Sequence, residues 1–126
     1  MLYVHQRQND NSELATHLLC RLDDVRRNLE HIDNFEEYNE LQAIIKKETP
    51  KIKKNVDTVY NNLKYYLEQI KKQRDWENEC YENYYTVVLQ DFEEGIDRVE
   101  SGIKKQENYI IKYEETVAKW MQLCQK

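Results

Sequence analysis

Three histidines, three cysteines and a scatter of carboxylates are the side chains of this 126-residue chain that could perform proton transfer, nucleophilic attack or metal binding. His5, His17 and His31 all lie in the first third, and His31 with Phe35 or Glu36 makes no ligand set. Cys20, Cys80 and Cys124 are odd in number and far apart, which predicts reduced thiols and no disulfide framework. Asp23, Asp24, Glu36 and Glu37 could be imagined as a carboxylate cluster. Catalytic carboxylates work in dry, concave pockets, whereas these fall on a charged helix surface suited to solubility and pairing one turn away. No glycine-rich phosphate loop, nucleophile elbow or Cys/His signature is present, so the sequence predicts neither an enzyme nor a bound cofactor, and no small-molecule substrate.

Aromatic residues offer a second kind of chemistry. Tyr81, Tyr84 and Tyr85, with Tyr65 and Tyr66 upstream, could stack single-stranded bases, but that mode also needs a basic groove. The flanking Glu77, Glu79, Glu82 and Asp91 point to packing or a protein interface instead. Lys51, Lys53 and Lys54, and Lys71, Lys72 and Arg74, are short basic runs that read as solvated helix faces. The net charge of -5 and pI near 5.3 argue against direct nucleic-acid binding and against attraction to acidic membranes.

The elements that must position these residues are helices. Only two glycines and one proline interrupt the chain, 34% of it is charged and its mean hydropathy is -1.00, so few turns and few, long helices are expected. Phe92, Ile96, Val99, Ile103, Gln106, Ile110, Tyr113, Val117, Trp120 and Cys124 recur at alternating spacings of four and three, the mark of a coiled-coil seam. Such a narrow stripe needs a facing helix, from this chain or another, and Phe92 through Trp120 are the predicted partner interface. Gln106 within it is a polar core position of the kind that selects register. Gly95 and Gly102, one heptad apart beside the seam, are costly in a helix interior and mark either a place of close approach or two tolerated surface positions.

The same spacing organises the rest. Met1 to Asn11 is polar and aperiodic, which predicts a flexible tail over 1–11 and one helical domain over 12–126, with Asn11 or Ser12 as the first helix cap. Leu14, Leu18, Leu22, Val25, Leu29 and Ile32 open a helix expected over 12–48. Phe35, Tyr38 and Leu41 then come every three residues, so the stripe there precesses or passes to another neighbour. Pro50 predicts a turn, with a kinked continuous helix as the alternative. Ile52, Val56, Val59, Leu63, Tyr66 and Ile70 restart the pattern over 51–73, and a third helix spans 77–124, separate from the second or continuous with it. The fold class is all-α: long coiled-coil helices in a hairpin or an elongated three-helix bundle.

Trp76, Cys80, Phe92 and Val99, followed by Tyr109, Ile110 and Tyr113, are spaced in a way that resembles the N-terminal coiled-coil region of the synaptonemal complex central-element family named after the Six6 opposite-strand transcript. The resemblance implies a nuclear, meiotic scaffold that pairs with another coiled-coil protein of that structure. Without it, the residues alone predict a structural subunit that joins itself or a partner coiled coil. Two alternatives remain open: a microtubule or kinetochore subunit binding through exposed lysines, and a self-contained helical-bundle adaptor. The start of the chain has no apolar run suited to a signal peptide and no stretch approaches the ~20 apolar residues of a membrane span, so an intracellular location, nuclear or cytoplasmic, is expected.

Overall fold

The computed structural model describes residues 2–36, 39–80 and 85–124, with side chains over 5–36, 39–76 and 92–124. Three helices, α1 (Leu2–Asn34), α2 (Glu40–Cys80) and α3 (Tyr85–Cys124), each pack against the other two to form an all-α bundle. Cross-helix pairs give the directions. Arg26 meets Asp57 and Lys53 meets Glu30, so α1 and α2 are antiparallel. Asn62 meets Gln106 and Gln42 meets Cys124, so α2 and α3 are antiparallel and α1 runs parallel to α3.

Buried positions follow the heptad in all three helices. In α1 they are Gln8, Asn11, Ala15, Leu18, Leu22, Val25, Leu29 and Ile32, spaced alternately by three and four. In α2 the same spacing runs from Gln42 and Ile45 through Thr49 to Val56, Val59, Leu63 and Ile70. Each stripe is closed by the other two, and Leu18, Leu22, Leu29, Leu63, Ile103 and Ile110 lose all contact with water. Fully burying a side chain of this kind is worth about 1.5–3 kcal/mol, so these layers dominate the stability.

Three sequence expectations are corrected. Residues 2–11 are helical, not a tail, and Asn11 is a buried seam residue, not a cap. The seam simply continues toward the start of the chain through Asn11 and Gln8, whose polarity hid it, and Ala15 takes the buried place expected for Leu14.

The first break falls between the end of α1 at Asn34 and the start of α2 at Glu40, and not at Pro50, which sits exposed inside α2. Proline removes the N–H that would bond the Lys46 carbonyl. The Thr49 hydroxyl stands 2.8 Å from that same oxygen and 2.8 Å from Asp33 Oδ1, and its one proton can serve either. The carbonyl has that hydroxyl as a donor only when its proton is turned away from Asp33, and Ile45, Thr49 and Val56, all buried, hold α2 to its neighbours on both sides of the proline. At the true turn, Phe35 N–H bonds the Ile32 carbonyl to tighten the end of α1, and Asn39 Oδ1 accepts the Gln42 N–H at 2.9 Å as the cap of α2.

The second break falls after Cys80, later than the expected end near residue 73, and α3 starts at Tyr85 and not at 77. A continuous 51–124 helix is thereby replaced by a second reversal. Glu37, Tyr38, Tyr81 and Tyr84 lie outside the described residues, as do the side chains of Cys80 and Tyr85. Among the described residues, no helix is long and apolar enough to cross a membrane.

Candidate functional site

The residues assigned to a partner interface are placed by α3 inside the chain's own core. Ile96, Ile103 and Ile110 are fully buried, Val99 and Val117 nearly so, and Tyr113 and Trp120 pack partly buried against the common core. Phe92 stacks at a tilt on Trp76 of α2, ring centres 4.5 Å apart. Gln106 accepts a hydrogen bond from Asn62 Nδ2 at 3.2 Å, so its mate is supplied in cis. Burial raises the Tyr113 phenol above its usual range, with Tyr109 adding to it, and raises the Cys124 thiol, which disfavours the reactive thiolate.

Both glycines lie on the α2–α3 side. A methyl group on Gly102 would overlap the outer edge of the Tyr66 ring, so this glycine lets an aromatic side chain lie on the α3 backbone. At Gly95 a methyl would stand 3.0 Å from Gln73 Nε2. Around them opens a groove of about 300 Å³ lined by Tyr65, Tyr66, Gln69, Gln73, Gly95 and Arg98. Tyr65 is 56% exposed at its mouth and meets Tyr66 edge-on, centroids 5.5 Å apart. The groove combines an aromatic wall, two amides and a guanidinium.

Gly102→Leu is expected to expel the Tyr66 ring at a cost of about 1–3 kcal/mol, partly offset by roughly 1 kcal/mol of helix propensity. In a Tyr66→Ala background the same substitution should stabilise the chain. Urea unfolding of the four proteins reads this as a change of sign, and parallel effects in both backgrounds would refute the contact.

Charges outside the core are spent on joining helices. Arg7 pairs with Asp97 and Glu100, Arg21 with Glu107 and Glu114, and Lys53 with Glu30 and Asp33. Arg26 reaches Asp57 and lies 4.2 Å over the Tyr60 ring. Of the basic runs, Lys53 is thus engaged, and Arg74 donates to Asn9, leaving fewer cations for a microtubule or phosphate surface. Asp23 and Asp24 pair along the helix with Arg26 and Arg27. Lone exposed pairs of this type add at most about 1 kcal/mol, and their larger role is to fix helix order and register.

Asp33 is the clearest acid-sensitive group. Its partial burial pulls the carboxyl upward, but hydrogen bonds from Lys53 and Thr49 outweigh that and hold it below its ordinary value. Glu100 is lowered as well, first by Lys104 and then by Arg7. A depressed carboxyl stabilises the fold above its unfolded value and loses that contribution as pH falls through the folded one. The melting temperature should therefore hold near neutrality and drop below about pH 4. Asp33→Asn should melt lower at pH 7 yet lose less between pH 5 and pH 3, followed by circular dichroism; equal losses in both proteins would discount the pair.

His5, His17 and His31 are all exposed, and although His17 has Glu13 and Cys20 a turn away on either side, no three His, Cys, Asp or Glu side chains among the described residues are placed to share a metal ion. Sequence reasoning missed the buried polar residues Gln8, Asn11, Gln42 and Thr49, whose only signal was their place in the heptad. Gln42 Nε2 donates to the Cys124 carbonyl at 3.1 Å and so satisfies the end of α3. Gln8 and Asn11 have no such answer: both Gln8 amide atoms and Asn11 Nδ2 are buried without a hydrogen-bond partner, as is Gln73 Oε1. Comparison of the chain with protein-family models, with curated proteins and with solved structures finds no match.

Proposed function

We propose that this chain is a non-enzymatic interaction module, a three-helix bundle that folds by itself and offers its outer helical surfaces to a helix or extended segment of a partner protein. The observation that carries the reading is the burial of the α3 seam from Phe92 to Cys124 within one chain, which leaves the outer faces, and not the seam, for a partner. The groove beside Tyr65 and Arg98 is one such face, and Arg98 supplies it with a guanidinium. A peptide carboxylate would complete it.

The test is the mass and shape of the isolated chain, by light scattering coupled to small-angle X-ray scattering, with circular dichroism on the same sample. A highly helical monomer with the dimensions of the bundle is the expected result. An elongated oligomer would return the seam to pairing between chains, the arrangement that a coiled-coil scaffold requires and that the resemblance to the meiotic family implies. A poorly helical chain would mean that folding needs a partner.

A further inference from the structure

Two neighbouring seam positions of α1 carry the wrong side chains for where they lie. Gln8 is fully buried and Asn11 is 4% exposed, yet both Gln8 amide atoms and Asn11 Nδ2 find no partner, and the next seam residue, Ala15, is small. What they face is fixed by the rim: Arg7 pairs with Asp97 and Glu100 of α3, and Arg74 of α2 donates to Asn9. At that level α2 and α3 present Ile70, Phe92, Ile96 and Val99, all buried. The continuous apolar core stops at Ala15, Ile70 and Val99, and Phe92 and Ile96 lie buried beyond it. A two-helix groove, apolar except for Gln73, whose Oε1 is also buried without a partner, is thus covered by two further amides with unsatisfied atoms, each destabilising, and its rim is joined by a few partly exposed polar contacts of modest worth.

We propose that the α2–α3 face from Ile70 to Gln73 and from Phe92 to Val99 is a helix-docking groove, that residues 5–14 of α1 are its displaceable cover, and that its occupant is an amphipathic helix of a partner protein running parallel to α3. The partner carries large apolar side chains where Gln8 and Asn11 now lie, which fill the groove and remove two of its three amides with unsatisfied atoms, leaving only Gln73. A basic residue just before the first of them meets Asp97 and Glu100, the pair that Arg7 now occupies. A second copy of α1 is a poor occupant, because it would bring the same two amides. This inference rests on the reading of the chain as an interaction module and names the partner that module takes.

The probe is a fluorescein-labelled peptide of residues 2–20 carrying Gln8→Leu and Asn11→Leu, titrated into the full chain and followed by fluorescence anisotropy and by hydrogen exchange with mass spectrometry. Saturable binding is expected, at least tenfold tighter than that of the peptide with the native glutamine and asparagine. Exchange over residues 5–14 should rise at least tenfold at saturation while that over 18–32 stays slow. The full chain with Gln8→Leu and Asn11→Leu should melt at a higher temperature, which shows that it folds, and should bind the peptide at least tenfold more weakly because its own cover now fits.

The competing cover is tethered at an effective concentration on the scale of about 1 mM, so the titration extends there. No saturable binding in that range, equal binding to both chains, or a wild-type cover that exchanges as slowly as residues 18–32 and is destabilised by the double substitution overturns the proposal. The last pattern would identify the amide layer as a hydrated structural feature. Light scattering on the same samples separates the two readings: a monomer that takes up no peptide defeats this inference alone, and an oligomer defeats the parent reading and this one together.

Discussion

Ile103→Asp is expected to unfold the chain. Ile103 is fully buried at the middle of α3, among Leu18 and Leu22 of α1 and Leu63 of α2 in the common core. A carboxylate there has no cation on the core side, and burying an unpaired charge costs roughly 4 kcal/mol or more. Domains of this size are stable by only about 5–15 kcal/mol, so the loss takes a large share of the whole. Circular dichroism should show either a chain of low helicity at 25 °C or a melt displaced far downward. Because the seam is closed in cis, the damage is to folding itself and appears at any protein concentration. A cooperative melt close to that of the parent protein would mean that α3 does not pack through this stripe.

Leu63→Ala should be the next most damaging change. Leu63 has no exposed surface, and truncating such a side chain removes its transfer energy and leaves a void, together about 2–5 kcal/mol. Leu41 on the same helix is 45% exposed, and Leu41→Ala should stay within about 0.5 kcal/mol of the parent. Urea unfolding of the pair tests the helix rotation of α2 directly, since both substitutions delete the same atoms. Similar losses at the two positions would place the wrong face of α2 toward the core.

How far the sequence could be read depended on what filled the seam. In α3 nearly every seam position holds a large apolar side chain, so helix, face and register were all legible, and the burial of Phe92, Ile96, Val99, Ile103, Ile110 and Val117 follows the spacing residue by residue. In α1 the first seam positions are Gln8, Asn11 and Ala15, and a search for apolar periodicity takes such a stretch for a tail. Pro50 was misread because its lost donor is visible in sequence, whereas the burial of Ile45, Thr49 and Val56 that carries α2 across it is a matter of tertiary packing. The true turn carries neither glycine nor proline. Its traces were the three-residue spacing of Phe35, Tyr38 and Leu41 and the capping asparagine, Asn39.

The groove was half legible. Gly95 and Gly102 stood out as two costly residues one heptad apart, which located a close approach on α3. That Tyr66 lies over Gly102, and Gln73 beside Gly95, depends on the antiparallel register of α2 on α3, which no local pattern encodes. The unsatisfied layer of Gln8, Asn11 and Gln73 was out of reach for the same reason: each amide alone is an ordinary polar residue, and only the bundle makes them a problem.

An odd number of helices has a mechanical consequence. Because α1 and α3 point the same way, the chain enters the bundle at one end and leaves it at the other, separated by the length of α3, roughly 60 Å for its 40 residues. Whatever is attached at those two points is held apart by a rod, and tension between them runs along the helix axes. Such a pull must shear many core layers at once, whereas a two-helix hairpin, pulled from adjacent ends, opens one layer at a time. The order in which the layers yield would then begin where the apolar core stops, at Ala15, Ile70 and Val99, so that the end holding Gln8 and Asn11 gives way before the leucine layers between Leu18 and Leu29.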